Sequence, residues 1–225
     1  MPPLTDIRAC VFDAYGTLFD VAAAARDMQD QLDGQWQPLA ELWRTKQLQY
    51  TWLRGLGGRH ADFWQVTGDA LDFALATLGL DAARLRQPLM DLYLRLGHYP
   101  EVPDTLRTLK ARGLKLAILS NGSPQMLSAA VANAGLEDVF DAVLSVESVG
   151  VFKPHPSVYQ LAVDTLGLPA GEMCFLSSNG WDAFSAKAFG YRVLWCNRFG
   201  QAPERIPETP DGEIRSLADL PGRLA

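Results

Sequence analysis

From about residue 102 onward, short apolar runs of strand length alternate with segments of helical period, and this alternation constrains the fold more than any other feature. The runs lie at residues 115–119, 142–146, 174–179 and 191–196, with helical patterns at 103–112, 124–134, 156–166 and 182–189. Buried runs separated by helices call for right-handed crossovers and a parallel sheet covered on both faces. One further run, Ala-Cys-Val-Phe at residues 9–12, stands far upstream. Between it and residue 98 only helical patterns occur, at 38–54, 61–78 and 81–96, broken by the glycine-rich stretch 55–58 and by Gly79. The expected class is therefore α/β, a Rossmann-like parallel-sheet core domain formed by residues 1–19 and 99–225, with an inserted all-helical cap domain at 20–98. The Pro-rich stretch 202–210 reads as a loop before a last short strand and helix.

At 225 residues the chain is long enough for a core with an inserted smaller domain, and its 48% hydrophobic and 20% charged residues are ordinary for a globular protein. A net charge of -6 with no basic stripe argues against nucleic acid or an anionic membrane as partner. Cys10, Cys174 and Cys196 are widely spaced, so neither a disulfide framework nor a zinc site is suggested. No apolar span reaches bilayer length, and the opening Met-Pro-Pro leads into the first strand without a secretory pattern. A cytoplasmic location is expected.

The strands end in related polar residues. Asp13 follows the first, Ser120 and Asn121 the second, and Ser177, Ser178, Asn179 and then Asp182 the fourth, while Lys153 precedes the helix after the third. Ligands of open α/β sheets bind beyond these carboxyl ends. Each residue has a plainer reading as a turn or cap residue, and for Ser123 and Ser157 capping is preferred. Together they outline a pocket with carboxylates, a cation, hydroxyls, amides and helix N-termini, suited to an anionic substrate. In the helical block, the apolar residues of 39–53 cover more than half a circumference, which demands more than one partner surface. Arg44 and Leu48 share a face there, one turn apart.

Asp13-Ala-Tyr-Gly-Thr-Leu, Leu119-Ser-Asn-Gly-Ser, Phe152-Lys-Pro-His-Pro and Ser177-Ser-Asn-Gly-Trp-Asp182 resemble the four ordered motifs of the haloacid dehalogenase superfamily. With Trp43-Arg-Thr-Lys-Gln-Leu-Gln-Tyr-Thr-Trp52, the chain is similar to the L-2-haloacid dehalogenases over nearly its whole length. Most members of the superfamily are Mg²⁺-dependent phosphatases, which carry a second Asp two residues after the nucleophile to protonate the leaving alkoxide. Here that residue is Tyr15, and the acidic pair near the fourth strand has become Ser177-Ser-Asn179. Halide departs as a weak base and needs no proton, so dehalogenation fits the same losses. A metal-dependent phosphatase is the alternative, and a non-catalytic scaffold is a third reading.

The resemblance implies a cofactor-free, metal-free hydrolase that converts (S)-2-haloalkanoic acids to (R)-2-hydroxyalkanoic acids and halide. In the implied mechanism Asp13 attacks C2 with inversion, and water then cleaves the ester. Lys153 would keep Asp13 ionised, with Thr17 and Ser177 orienting it. Ser120 and backbone amides after Asp13 would hold the substrate carboxylate, and Arg44 and Asn121 would receive the halide. Asp182 would activate water, with Asn179, Ser177 and Lys153 around it and Tyr159 in support. Tyr15, Leu48, Phe63 and Trp181 would form the apolar wall. His60, His98 and His155 fall outside the motifs and take no catalytic role. Phe152 stands where a Tyr is common, and 20–25 is bland in sequence. The expected partner is a small 2-haloacid, and the family's habit implies a homodimer through cap helices.

Overall fold

The computed structural model describes residues 2–32 and 34–225. Its centre is strand β1 (Ala9–Phe12), every residue of which is buried, as a run without polar alternation requires. Helices α1 (Ala23–Arg26), α2 (Trp36–Leu56), α3 (Phe63–Leu78) and α4 (Ala82–Tyr93) follow. The chain then runs α5 (Val102–Ala111), β2 (Lys115–Ser120), α6 (Pro124–Asn133), β3 (Ala142–Ser145), α7 (Pro156–Leu166), β4 (Met173–Ser177), α8 (Gly180–Phe189), β5 (Arg192–Cys196) and β6 (Gly212–Ile214). All pairings are parallel and the six strands lie in the order β3-β2-β1-β4-β5-β6.

Strand order reverses direction at β1, whose Phe12 pairs with Ile118 of β2 on one side and Leu176 of β4 on the other. A crevice opens at such a switch point, and Asp13 is the first residue past the end of β1. The two chain crossings between sheet and helical block run side by side there. The Asp20 N–H donates to the Gly97 carbonyl and the Tyr99 N–H to the Leu18 carbonyl, both at 3.0 Å. Helices α2 and α3 pack closely, pinned by Trp43, whose indole N–H donates to the Thr67 carbonyl at 2.9 Å. Fully buried Leu39, Leu71 and Leu75 join the same apolar cluster as the sheet residues, each burial contributing about 1.5–3 kcal/mol.

Several element limits differ from those expected. Helix α2 runs on through Gly55 to Leu56, because one glycine costs a helix only about 1 kcal/mol. Its first turn begins before Pro38, which is tolerated where N–H groups lack intrahelical partners. The bland alanine stretch forms the short α1. Helix α4 ends at Tyr93, short of 96. Ser123 caps α6 as expected, but α7 is capped by the His155 ring nitrogen, which accepts from the Ser157 N–H, so Ser157 lies inside the first turn. Strand β4 stops at Ser177 and α8 starts at Gly180, which leaves Ser178 and Asn179 free to turn toward Asp13.

Candidate active site

Asp13 is buried, and three side chains donate to its carboxylate. Lys153 Nζ lies 3.1 Å from Oδ1. Thr17 Oγ1 lies 3.1 Å and Asn179 Nδ2 2.8 Å from Oδ2. The turn after β1 brings Thr17 into place: the N–H groups of Thr17, Leu18 and Phe19 all donate to the Ala14 carbonyl, and Gly16 takes a φ of 91° that disfavours other residues. Thr17 Oγ1 also accepts from the Ser178 N–H at 2.8 Å, so its own proton is directed at Asp13.

Lys153 is nearly inaccessible and its ammonium bridges two acids, lying 2.8 Å from Asp182 Oδ2 as well. Burial disfavours this cation, but the carboxylates of Asp13 and Asp182 outweigh burial and raise its pKa. Asp182 goes the other way: burial raises its carboxyl above the ordinary range, with Lys153 opposing. Its second oxygen accepts from the Tyr159 hydroxyl at 2.8 Å. Burial first, and Asp182 next, push Tyr159 well above its usual value, so the phenol stays a donor.

The helical block contributes Arg44. Its Nη2 donates to Asn179 Oδ1 at 3.1 Å and to the Tyr15 carbonyl at 3.3 Å. Asn179 precedes α8 and makes no side-chain cap, because its amide is spent on Asp13 and Arg44. Arg44, Leu48, Asn179 and Trp181 line one cleft of about 650 Å³. Tyr15 and Phe63 are buried beside it with ring centroids 6.0 Å apart.

Ser177, Asn121 and Ser120 make hydrogen bonds of their own around the site. The Ser177 hydroxyl accepts from the Asn179 N–H at 3.2 Å, so it reaches Asp13 through Asn179 rather than directly. Asn121, expected on the halide, uses its Oδ1 to accept from the Lys153 N–H at 3.0 Å, fixing the lysine's backbone. Ser120 Oγ accepts from the Gly122 N–H at 3.1 Å and shapes the turn after β2. Among the described residues no group of three His, Cys, Asp or Glu side chains is arranged to hold a metal ion.

Gln47 was not anticipated. It is buried, and its Oε1 accepts from Arg44 Nη1 at 2.7 Å. Thr67 spends its proton on the Phe63 carbonyl and so accepts from Gln47 Nε2 at 2.7 Å, which fixes the amide's orientation. Tyr93 completes this group, its hydroxyl 3.1 Å from Gln47 Nε2 and its ring stacked on Tyr15 at 5.6 Å. The spacing of three residues from Arg44 to Gln47 is a signal that could have revealed the pair.

A family model described as haloacid dehalogenase-like hydrolase matches residues 7–190. The (S)-2-haloacid dehalogenase of Pseudomonas sp. (strain YL) is 51% identical, covering 94% of this chain and 91% of that protein. Haloacetate dehalogenase H-2 of Moraxella sp. (strain B) is 42% identical, covering 91% and 92%. The L-2-haloacid dehalogenase of Xanthobacter autotrophicus, solved with chloropropionic acid covalently bound, superposes with a TM-score of 0.89 at 44% identity, covering 96% and 97%. A switch point that carries a buried carboxylate, a helical block that lends it an arginine, and likeness over nearly the full length agree: the chain belongs to the (S)-2-haloacid dehalogenases of the haloacid dehalogenase-like hydrolases.

Proposed function

We propose that this protein hydrolyses (S)-2-haloalkanoic acids to (R)-2-hydroxyalkanoic acids and halide through an ester on Asp13. The observation that carries the reading is the set of three donors on a buried carboxylate, with Tyr15 rather than an acid two residues on. Such donors fix the orientation of the Asp13 carboxylate. Oδ2 receives two hydrogen bonds and Oδ1 one, so Oδ1 has the freer lone pair for attack on C2. Arg44 and Asn179 then face the leaving halide's side of the cleft, and a guanidinium there favours the charge that develops as the carbon–halogen bond breaks.

In the ester formed through Oδ1, Oδ2 becomes the carbonyl oxygen. Its donors, Thr17 Oγ1 and Asn179 Nδ2, serve as an oxyanion hole when water adds. Asp182 takes the water's proton, and its raised pKa makes it a stronger base than an ordinary carboxylate. Lys153 joins the two centres. Tyr159 holds Asp182 in place, and Ser177, Ser120 and Asn121 hold the turns that carry the donors. Backbone amides after Asp13, with Ser120, receive the substrate carboxylate, and Tyr15, Leu48, Phe63 and Trp181 form the dry wall around its alkyl part.

The phosphatase alternative gains no support from this site, since both acids share one ammonium and a leaving alkoxide would find Tyr15, whose phenol burial keeps well above its ordinary value. We further read residues 20–98 as a cap over a core of 1–19 and 99–225, with the paired crossings at 18–20 and 97–99 as the boundary. Exposed Leu53 and Leu56 at the end of α2 and Phe73 on α3 support a homodimer through these helices, which light scattering tests. No helix among the described residues is long and apolar enough to cross a membrane, and the three buried free cysteines accord with a cytoplasmic location. The deciding experiment is halide release from each enantiomer of 2-chloropropionate by wild type and Asp13→Ala. Release from the (S) form alone, abolished in the variant, is expected; no release from either enantiomer by wild type sinks the reading.

A further inference from the structure

A second part-buried arginine, unused by the chemistry above, contacts the turn that follows Asp13. Arg198 follows β5, and its side chain is only 9% exposed. Its Nη2 donates to the Thr17 carbonyl at 2.9 Å. Its Nη1 lies 2.6 Å from Glu101 Oε1, and its guanidinium carbon lies over the Tyr99 ring at 3.9 Å. Tyr99 and Glu101 belong to the segment in which the chain returns from the helical block to the sheet, and Thr17 to the segment in which it leaves. One side chain therefore fastens both crossings to the core. Thr17 is the residue whose hydroxyl aims Asp13.

Resting on the reading of Asp13 as nucleophile, the geometry points to Arg198 as a positioning residue for the dehalogenation reaction: by holding the Thr17 carbonyl against Tyr99 and Glu101, it sets the angle at which Thr17 presents Asp13 to C2. It touches no reacting atom and acts only through Thr17. A planar guanidinium suits the task because it donates in two directions while its face rests on an aromatic ring, which an ammonium cannot reproduce. Displacing a nucleophile's support by a fraction of an ångström lowers the rate of attack by about ten- to a hundredfold with little change in substrate affinity.

The test compares Arg198→Met and Arg198→Lys with wild type by rapid-quench halide release and by hydrogen exchange of the peptide spanning residues 13–20. Arg198→Met is expected to slow ester formation about ten- to a hundredfold with KM within about threefold, and Arg198→Lys to recover part of the loss. In a Thr17→Val background, adding Arg198→Met is expected to change the rate by less than about twofold, because the path to Asp13 is already cut. Exchange in 13–20 is expected to rise about tenfold in Arg198→Met. An ester-formation rate within twofold of wild type, an undiminished effect in the Thr17→Val background, or unchanged exchange would each overturn the proposal. Should Arg198→Met not fold, Tyr99→Leu and Glu101→Gln must lower kcat at constant KM for the proposal to stand. Should wild type release no halide, the reading of Asp13 fails separately, and exchange alone decides whether Arg198 fastens the turn.

Discussion

Arg44 of helix α2 reaches across to Asn179 at the head of helix α8, its guanidinium donating to Oδ1 at 3.1 Å while the same amide's Nδ2 holds Asp13 Oδ2 at 2.8 Å. Arg44 and Asp13 thus share one amide. Arg44→Ala is expected to slow ester formation by about 10²–10³-fold, the magnitude for removing one donor to developing charge. Arg44→Lys should fall between, because a single ammonium cannot hold Gln47, Asn179 and a halide together. Rapid-quench halide release measures both.

Asp182 divides the two steps. With Asp182→Asn, Asp13 retains its three donors, so the first step proceeds while water is no longer deprotonated. Ester accumulation is expected, seen as a protein mass increased by the substrate's 2-carboxyalkyl group with about one halide released per site. Since burial raises the Asp182 carboxyl above the ordinary range, hydrolysis of the ester should fail on acidification at a higher pH than an ordinary carboxylate would impose. A pH profile of single-turnover ester decay checks the direction.

Lys153 keeps two buried acids apart. Lys153→Met leaves both uncompensated, and a loss of about 3–5 kcal/mol at neutral pH is expected from urea denaturation, with activity abolished. The loss should shrink as pH falls, because the stranded carboxyls can then protonate. In wild type the sign is opposite at the alkaline end. The folded pKa of Lys153 lies above its ordinary 10.5, so its stabilisation is fully present below 10.5 and is lost only as pH rises through the higher folded value.

Gly122 leaves room for Tyr15. A Cβ there would lie 2.7 Å from the Tyr15 ring and 3.1 Å from Leu127. Both neighbours are buried and cannot swing aside, so Gly122→Ala is expected to cost about 1–3 kcal/mol by overpacking. The displaced ring narrows the alkyl pocket, so KM should rise more for 2-chlorobutyrate than for chloroacetate.

The sheet was legible because fully apolar runs such as Ala9–Phe12 and residues 193–196 of β5 have no other use in a chain of this charge. Asp13, Lys153, Asn179 and Asp182 were legible as strand-end residues, and they do converge. What sequence could not show depends on distant partners. Nothing local says that Asn179 gives up capping α8, that Ser177 answers to Asn179, or that Arg198 lies against Thr17, 181 positions away. Gly55 read as a break because a local penalty of about 1 kcal/mol is visible in sequence, whereas the packing of α2 on α3 that overrides it is not.

The claim that an ester forms on Asp13 is tested most directly by one turnover of (S)-2-chloropropionate in ¹⁸O-water with enzyme in excess. The lactate released is expected to carry ordinary oxygen taken from Asp13, and the label to appear in the Asp13 carboxylate on peptide mass analysis. Lactate labelled in that first turnover, with Asp13 unlabelled, would mean that water attacks C2 itself and would contradict it.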